Sequence, residues 1–251
     1  MSNATPDHFS SVSKTYHRFR PDYPAELFQH LAEVAPARTR VWDCGTGTGL
    51  AALPLAELFD QIIATDISAK QLENAGQHPN IEYRLSPAEK VDIPDHSVDL
   101  VVSAQAAHWF DIDAFYAEVV RVLKPDGVIA LWCYGLLSIT PAVDAVISRL
   151  HDDMLGPYWP TRTLEDHTYA DIPFPFDELP RRTFEMKASW TMQRMCDYFR
   201  TWSAVARYIE DHGQDPVSVL EPDFAAAWER PEEAREVTWT VYMRHGRPRA
   251  S

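Results

Sequence analysis

An apolar run that ends on an acid and passes at once into alternating glycines constrains this chain most: Val41 to Leu50 reads VWDCGTGTGL. A second apolar run, Ile62 to Thr65, ends at another acid, Asp66. Two strands in that relation, with helix-forming residues between them, pair in parallel, because a parallel pair needs a crossover and a helix usually supplies it. Thr39 to Asp43 reads as the first strand, Gly47 to Phe59 as a helix with Pro54 as a conflict inside it, and Ile62 to Asp66 as the second strand. Ser68, with Gln71 three residues on, forms a capping box that opens the next helix. Ile81 to Leu85 is a weaker third strand, and Val98 to Ser103 is an uninterrupted apolar strand of the kind covered on both faces. Ile112, Phe115, Tyr116, Val119, Val120 and Leu123 then recur at helical spacing. Lys124-Pro125-Asp126-Gly127 stops that helix with turn chemistry, and Val128 to Cys133 resumes a strand. The alternation predicts a parallel sheet with right-handed crossovers.

Beyond Tyr134 the rhythm changes. Prolines at 141, 157, 160, 173, 175 and 180 break the chain, and Tyr158, Trp159, Tyr169, Phe174 and Phe176 crowd the same region. Leu136 to Leu179 reads as an inserted cover. Thr183 to Thr191 and Glu236 to Met243 alternate as late strands, separated by helical material from Met192 to Arg230.

Composition narrows the function classes. With 251 residues and 45% hydrophobic content the chain can bury the core of one decorated α/β domain. We divide it into an N-terminal cap (1–36), a cofactor-binding core (37–134) and a cover with late strands (135–251). Lys and Arg total 23 against 37 Asp and Glu, a formal charge of -14 that repels a phosphate backbone, so no nucleic-acid partner is expected. The longest uncharged apolar run, Val128 to Ile139, has 12 residues, short of the roughly 20 that cross a bilayer, and no membrane association is expected. The opening residues MSNATPDHFSSVSK lack the basic start and apolar stretch of a secretory signal. Cys44, Cys133 and Cys196 show no CxxC spacing, which fits a reducing, cytoplasmic setting, and no metal is expected.

Glycines at 45 and 47 let main chain approach a ligand at the mouth of such a sheet, and an acid at the tip of the second strand suits an adenosine-bearing cofactor. A dinucleotide fingerprint needs Gly or Ala three residues after the second glycine, where this chain has Leu50. That departure favours another adenosine cofactor. The plainer reading is a tight strand-to-helix turn with no ligand.

Asp43, Gly45, Gly47 and Gly49, with Asp66 beyond them, resemble the class I S-adenosylmethionine-dependent methyltransferases. The narrower resemblance is to the type 11 group that includes trans-aconitate methyltransferase-like small-molecule enzymes. It runs from about Tyr16 to Val128 and more faintly to the carboxyl end. It implies a doubly wound, Rossmann-like α/β fold: a mostly parallel seven-stranded sheet with helices on both faces and a helical, aromatic cover inserted in the C-terminal half. It implies S-adenosyl-L-methionine as cofactor, with Asp66 accepting hydrogen bonds from the ribose hydroxyls, Ile67 packed on the adenine, and Ala88 and Glu89 beside the adenine edge. Tyr16, Arg20, Pro21, Tyr23 and Pro24 resemble the family's YxxxRPxYP stretch, which closes over the methionine end, where Arg20 could pair with the cofactor carboxylate. Ala104 to Phe110, AQAAHWF, resembles the segment facing the sulfonium, so that Ala104 and Gln105 meet the cofactor and His108 and Trp109 the substrate. Plainer roles stay open: Asp66 as a helix-capping acid, Glu89 as a solvated charge, Arg20 as a surface ion pair, His108 as a satisfied core group.

Methyl transfer from a sulfonium is an in-line displacement in which the cofactor carries the activated group, so the protein supplies alignment and dryness. A carboxylate acceptor, with a pKa near ~4, is ionised at neutral pH and needs no general base. A hydroxyl or amine acceptor calls for a base, and His108 is the candidate. The resemblance also reaches the TWSxxxRY segment, matched by Thr201-Trp202-Ser203 and Arg207-Tyr208. Trp202 and Tyr208 from that segment, with Trp159 and Arg162 from the YWPTR stretch of the cover, are the candidates for holding the acceptor, although the helical spacing of Trp202 and Tyr208 also suits core packing. The expected reaction is methylation of a small molecule, by preference O-methylation of a carboxylate, by a monomer or homodimer. Alternatives are C- or N-methylation of a small aromatic or amine, and a noncatalytic cofactor-binding regulatory domain.

Overall fold

The computed structural model describes residues 21–159 and 168–249, so most of the expected N-terminal cap lies outside the described residues. Five parallel strands open the sheet: β1 (Arg40–Cys44), β2 (Gln61–Asp66), β3 (Ile81–Leu85), β4 (Val98–Ala104) and β5 (Leu123–Tyr134). β8 (Arg235–Arg247) lies antiparallel along β5. Two segments, β6 (Asp177–Glu178) and β7 (Arg182–Trp190), follow one another along the opposite edge of β8. The order is thus β3-β2-β1-β4-β5-β8 with β6 and β7 sharing the last position, eight segments in seven places. The expected seven-stranded, mostly parallel sheet is present, and the antiparallel member is the last strand in the chain.

Both faces of the sheet are covered because successive strand residues point opposite ways. Val41, Leu100, Val102 and Ala130 face one core with helix α1 (Ala25–Val34), which buries Leu27 and Leu31, and helix α2 (Ala52–Ala56), which buries Leu55. Trp42, Val101, Ile129 and Leu131 face a second core with helix α4 (Ile112–Val122), which buries Phe115 and Val119. Asp111 caps α4 by accepting from Ala114 N, and Ser68 caps α3 (Ala69–Glu73) by accepting from Gln71 N. The latter is one half of the expected capping box; the other half is missing, because Ser68 N donates to Asp66 Oδ1 and the buried Gln71 Oε1 has no hydrogen-bond partner among the described residues.

Two local expectations need correction. The helix expected from Gly47 to Phe59 forms only over Ala52–Ala56. Residues 47 and 49 hold φ of +56° and +84°, outside the helical region, so the helix starts late and Pro54 falls in its first turn, where a missing N–H is tolerated. Lys124 to Gly127 is not a free turn but a bulge within β5: Val98 pairs with Leu123 and Leu100 with Val128, so these four residues bow out of the ladder. Lys124 Nζ anchors the bulge to the buried carboxylate of Asp99, at 2.5 Å. That carboxylate also accepts from the main chain of Thr39 and Arg40 and from the Thr39 hydroxyl. These bonds hold the Asp99 carboxyl below its usual range against the cost of its own burial.

The cover combines two stretches of chain. Helix α5 (Pro141–Ser148) and the π-helical turn Arg149–Met154 come from the insertion. Helices α6 (Met192–Phe199), α7 (Ser203–His212) and α8 (Pro216–Trp228) come from between β7 and β8. Val143, Ile147, Leu150, Phe199 and Phe224 pack into the same core as α1, which ties the cover to one face of the sheet.

Candidate active site

The site grows out of the end of β1. Gly45 N and Thr46 N both donate to Thr65 O at 2.9 Å, which fastens the glycine turn to the tip of β2. A side chain at Gly45 would meet the Ala106 methyl at 2.5 Å, so the turn can nest under the loop after β4 only without one. At Gly47 a Cβ would have no neighbour within 4 Å, and the bare backbone faces open space. Its N–H donates to Asp66 Oδ2 at 2.9 Å, and Ser68 N donates to Asp66 Oδ1 at 2.8 Å. Asp66 therefore stands at the β2 tip with its carboxylate aimed by two main-chain donors. Ile67, next to it, leaves 43% of its apolar surface exposed.

Asp43 lies beneath the turn, fully buried, and accepts from Thr46 Oγ1 at 2.6 Å. Its other oxygen has no hydrogen-bond partner among the described residues. Burial pushes its carboxyl up to about 7; the Thr46 bond works against this and the nearby negative charge of Asp66 adds to it. Gly49 faces the Tyr83 hydroxyl, which donates to Gly76 O at 2.6 Å. Asp43 and Gly49 shape the turn from below rather than lining the space above it.

That space is a cleft at the carboxyl ends of β1, β2 and β4, walled by Gly45, Gly47, Asp66, Ala104, Gln105 and Trp109 among others. The space is about 640 Å³ when its open mouth is counted, so it is a cleft open to solvent rather than a closed cavity. Such a crevice is where open α/β sheets take ligands. Gln105 adopts φ +54°, a left-handed conformation uncommon outside glycine. It is held there by Gln105 N donating to Trp132 O at 2.9 Å and by its Nε2 donating to Tyr134 O at 2.8 Å. With the amide nitrogen so engaged, Oε1 is the end left to a ligand.

The structure thus brings together six of the residues expected from sequence and distributes the others. Ala88 is buried in the second core, and Glu89 accepts from Asp111 N at 3.0 Å, joining the segment after β3 to the start of α4. His108 is half-buried in a single 3-10 turn, Ala107–Trp109, with Nδ1 at 3.1 Å from the Tyr169 hydroxyl. It is not among the residues walling the cleft, whereas Trp109, 5.1 Å away between ring centres, is. Trp159 and Trp202 meet in the cover at 5.5 Å between ring centres, with the His151 ring beside both. Tyr208 packs between Tyr158 and a stacked His212. Tyr16, Arg20 and Arg162 lie outside the described residues.

Tyr23, from the stretch expected to close over the methionine end, and Tyr134, which was not singled out from sequence, also wall the cleft. Their rings meet edge-on at 6.1 Å and Tyr23 also leans on Trp132, so α1 and β5 close one side together. The usable signal was the position of Tyr134 at the end of a parallel strand, where sheet residues turn towards ligands.

A profile described as a methyltransferase domain matches residues 42–131, the stretch that carries β1 to β5 and the cleft. A proposed methyltransferase of Dictyostelium discoideum is 36% identical over 245 residues, covering 94% of this chain and 93% of that protein. This chain belongs to the class I S-adenosylmethionine-dependent methyltransferases. The solved structure of a proposed type II methyltransferase from Anaeromyxobacter dehalogenans superposes on this methyltransferase with a TM-score of 0.86. It is 43% identical, covering 92% of this chain and all of that one. A Saccharomyces cerevisiae protein proposed as an S-adenosylmethionine-dependent methyltransferase is 31% identical over 131 residues, 49% of this chain and 45% of that protein.

The residues of this methyltransferase fit its family's cofactor. Bare main chain at Gly47 leaves room for a ligand that any side chain would reduce, and the Asp66 carboxylate presents acceptors to a diol. Beside it, Ile67 offers an apolar surface for a base. Among the described residues no group of three or more His, Cys, Asp or Glu side chains is placed to hold a metal, and no helix is long and apolar enough to cross a membrane.

Proposed function

We propose that this methyltransferase acts on a small molecule and that its favoured reaction is O-methylation of a carboxylate. The observation that carries the reading is the make-up of the cleft wall: among its described residues the titratable groups are Asp66 and the tyrosines at 23 and 134. An acceptor that arrives already ionised needs no base there, whereas an alcohol or amine does. The narrower resemblance to the trans-aconitate methyltransferase-like group points the same way, and the net charge of -14 disfavours polyanionic acceptors such as nucleic acid.

When bound, S-adenosylmethionine supplies a methyl group already activated by its sulfonium. The chain supplies position and exclusion of water. Asp66 would accept from the ribose hydroxyls, Ile67 would pack on the adenine with Ala88 and Glu89 at its edge, and Gly45 and Gly47 would admit the cofactor close to main chain. Gln105 Oε1 would accept from the cofactor's ammonium, and Ala104 and Trp109 would wall the reacting end. The resemblance assigns the methionine end to Tyr16 and Arg20. Trp159, Arg162, Trp202 and Tyr208 belong to the acceptor side, with His108 oriented towards the acceptor from the loop after β4. The protein works as a monomer or homodimer in the cytoplasm.

The test is calorimetric titration with S-adenosylmethionine and its demethylated product, followed by transfer of labelled methyl to a panel of acids, phenols and amines. Alkali-labile label on acids is the expected result. Label that survives alkali overturns the ester assignment, and tight binding with no transfer to any panel member overturns the catalytic one. Asp66→Ala should weaken cofactor binding by roughly 1–3 kcal/mol, the scale of losing a charged hydrogen-bond partner.

A further inference from the structure

Tyr169 comes from the far end of the inserted cover, yet it is fully buried in the core that backs β4 and β5. It holds φ of +56°, a conformation that costs a bulky residue roughly 1–3 kcal/mol and persists only where surroundings enforce it. The enforcement comes from Arg244 of β8, itself buried. Arg244 Nη1 donates to Tyr169 O at 2.6 Å and to Ile172 O at 2.7 Å. Its Nε and Nη2 pair with Glu178 at 3.0 and 3.1 Å, and its guanidinium lies 4.7 Å over the Phe174 ring. A buried arginine that spends its fork on two carbonyls and one carboxylate fixes the backbone from 169 to 178 firmly.

What this delivers is a phenol hydroxyl at the start of the turn Ala107–Trp109. Its oxygen stands 3.1 Å from His108 Nδ1. A hydroxyl has one proton to give, and burying that proton unmet is costly. The phenol is fully buried and the ring nitrogen is the acceptor within its reach among the described residues, so the proton goes to the ring nitrogen. Burial keeps the phenol protonated far beyond neutral pH, so the donor is permanent.

We propose that Tyr169 is a positioning residue for the methyl-transfer site, because its hydroxyl donates to His108 Nδ1 and holds His108 as the tautomer with its proton on Nε2. In that form Nε2 is a hydrogen-bond donor. It can orient an acceptor carboxylate but has no lone pair with which to take a proton. This rests on the reading above in which His108 meets the acceptor, and it gives that reading its chemical preference: an ionised oxygen is held, while a neutral alcohol is not deprotonated.

The test is nitrogen-15 NMR of the imidazole rings in the full chain, with the His108 signals assigned by their absence in His108→Asn. Wild type should show His108 near pH 7.5 as the neutral Nε2–H form with Nδ1 accepting a hydrogen bond. Tyr169→Phe, which keeps the ring in the core, should lose the Nδ1 signature and raise the His108 titration midpoint by roughly half to one pH unit, the worth of one hydrogen bond to the neutral ring. Affinity for the demethylated cofactor should stay within about two-fold of wild type, which a general disordering of the site would not allow. A wild-type spectrum showing the proton on Nδ1 overturns the proposal without any variant, as does a midpoint unmoved in folded Tyr169→Phe. If the tautomer behaves as stated but His108→Asn methylates acids at the wild-type rate, the reading that puts His108 at the acceptor fails, and with it the part given to Tyr169 in methyl transfer, while the bond that sets the tautomer stands.

Discussion

Replacing Asp43 by Asn removes one titratable proton from beneath the glycine turn while leaving shape and volume almost unchanged. In the folded chain this carboxyl is fully buried, with one oxygen on Thr46 and the other without a partner among the described residues. Burial, against the Thr46 bond and with the charge of Asp66, lifts it from 3.8 to about 7. Between those two values the folded protein holds a proton that the unfolded chain has released. Wild-type stability therefore falls as pH rises through the window, by about 1.4 kcal/mol per pH unit, and the contribution is complete only below the unfolded value. The protonated carboxyl leaves one buried O–H unmet and the amide two N–H, so at low pH the wild type is the more stable by about one unmet donor. Asp43→Asn should then be the more stable protein at pH 8, and its advantage should shrink by about 2–3 kcal/mol from pH 7 to pH 5. Urea unfolding of both proteins at pH 5, 6, 7 and 8, followed by tryptophan fluorescence with unchanged m-values, measures the gap. A gap constant to within about 0.5 kcal/mol across that range, or one that grows towards acid, refutes a protonated buried carboxyl at this position.

Gly49→Ala should cost about 2–3 kcal/mol, since it combines a left-handed φ with displacement of the Tyr83 hydroxyl from Gly76 O. Gly47→Ala, with open space around its Cβ, should cost about 1–2 kcal/mol in stability yet weaken cofactor binding at least ten-fold; equal effects of the two on urea midpoints would contradict the geometry. On the acid side the buried His245, 3.1 Å from His30, is held neutral: burial, then the neighbouring His30 and Arg182, depress it to about 4. The unfolded chain takes up that proton first, so stability should fall by up to about 3 kcal/mol as pH drops from 6.5 towards 4. His245→Leu should flatten that slope in acid unfolding curves, and an unchanged slope would place the acid sensitivity elsewhere.

The parallel half of the fold was legible because its signals are local. Val98 to Ser103 is apolar but for Asp99 and the terminal Ser103, and Asp99 turns out to be the acceptor that ties β1 to the bulge of β5. Ser68 announced a helix start, which forms at Ala69 with Gln71 N donating to the Ser68 hydroxyl, although the return bond from the Gln71 side chain does not form. The expected helix from Gly47 failed where apolar periodicity competed with backbone geometry: Leu50, Leu53 and Leu58 fit a helix, but positive φ at residues 47 and 49 delays it. Likewise Lys124 to Gly127 carries turn residues, and only the pairing of Val98 with Leu123 shows that the chain rejoins the ladder before and after them. Turn chemistry specifies a departure from regular structure, not how far the chain departs.

The site divides along the same line. Gly45, Gly47 and Asp66 were readable because strand tips and glycine spacing fix a crevice from sequence alone, and the structure joins them through Gly47 N to Asp66. What sequence could not reach is any contact whose partners are set by tertiary packing. Tyr169 was noted only as one aromatic in a crowded cover, 61 residues from His108, and nothing in its neighbours marks the left-handed backbone that aims it. That aim is decided by Arg244, which in sequence stands near two further arginines, at 247 and 249, as an exposed basic stretch would. Burial reverses the meaning of such a charge. Exposed, Arg244 would be decoration worth little; enclosed by two carbonyls, Glu178 and a phenyl face, it decides where a hydroxyl points at a distant loop. The chemistry available to His108 is thus settled by the last strand of the sheet, which follows every motif that gave the family away.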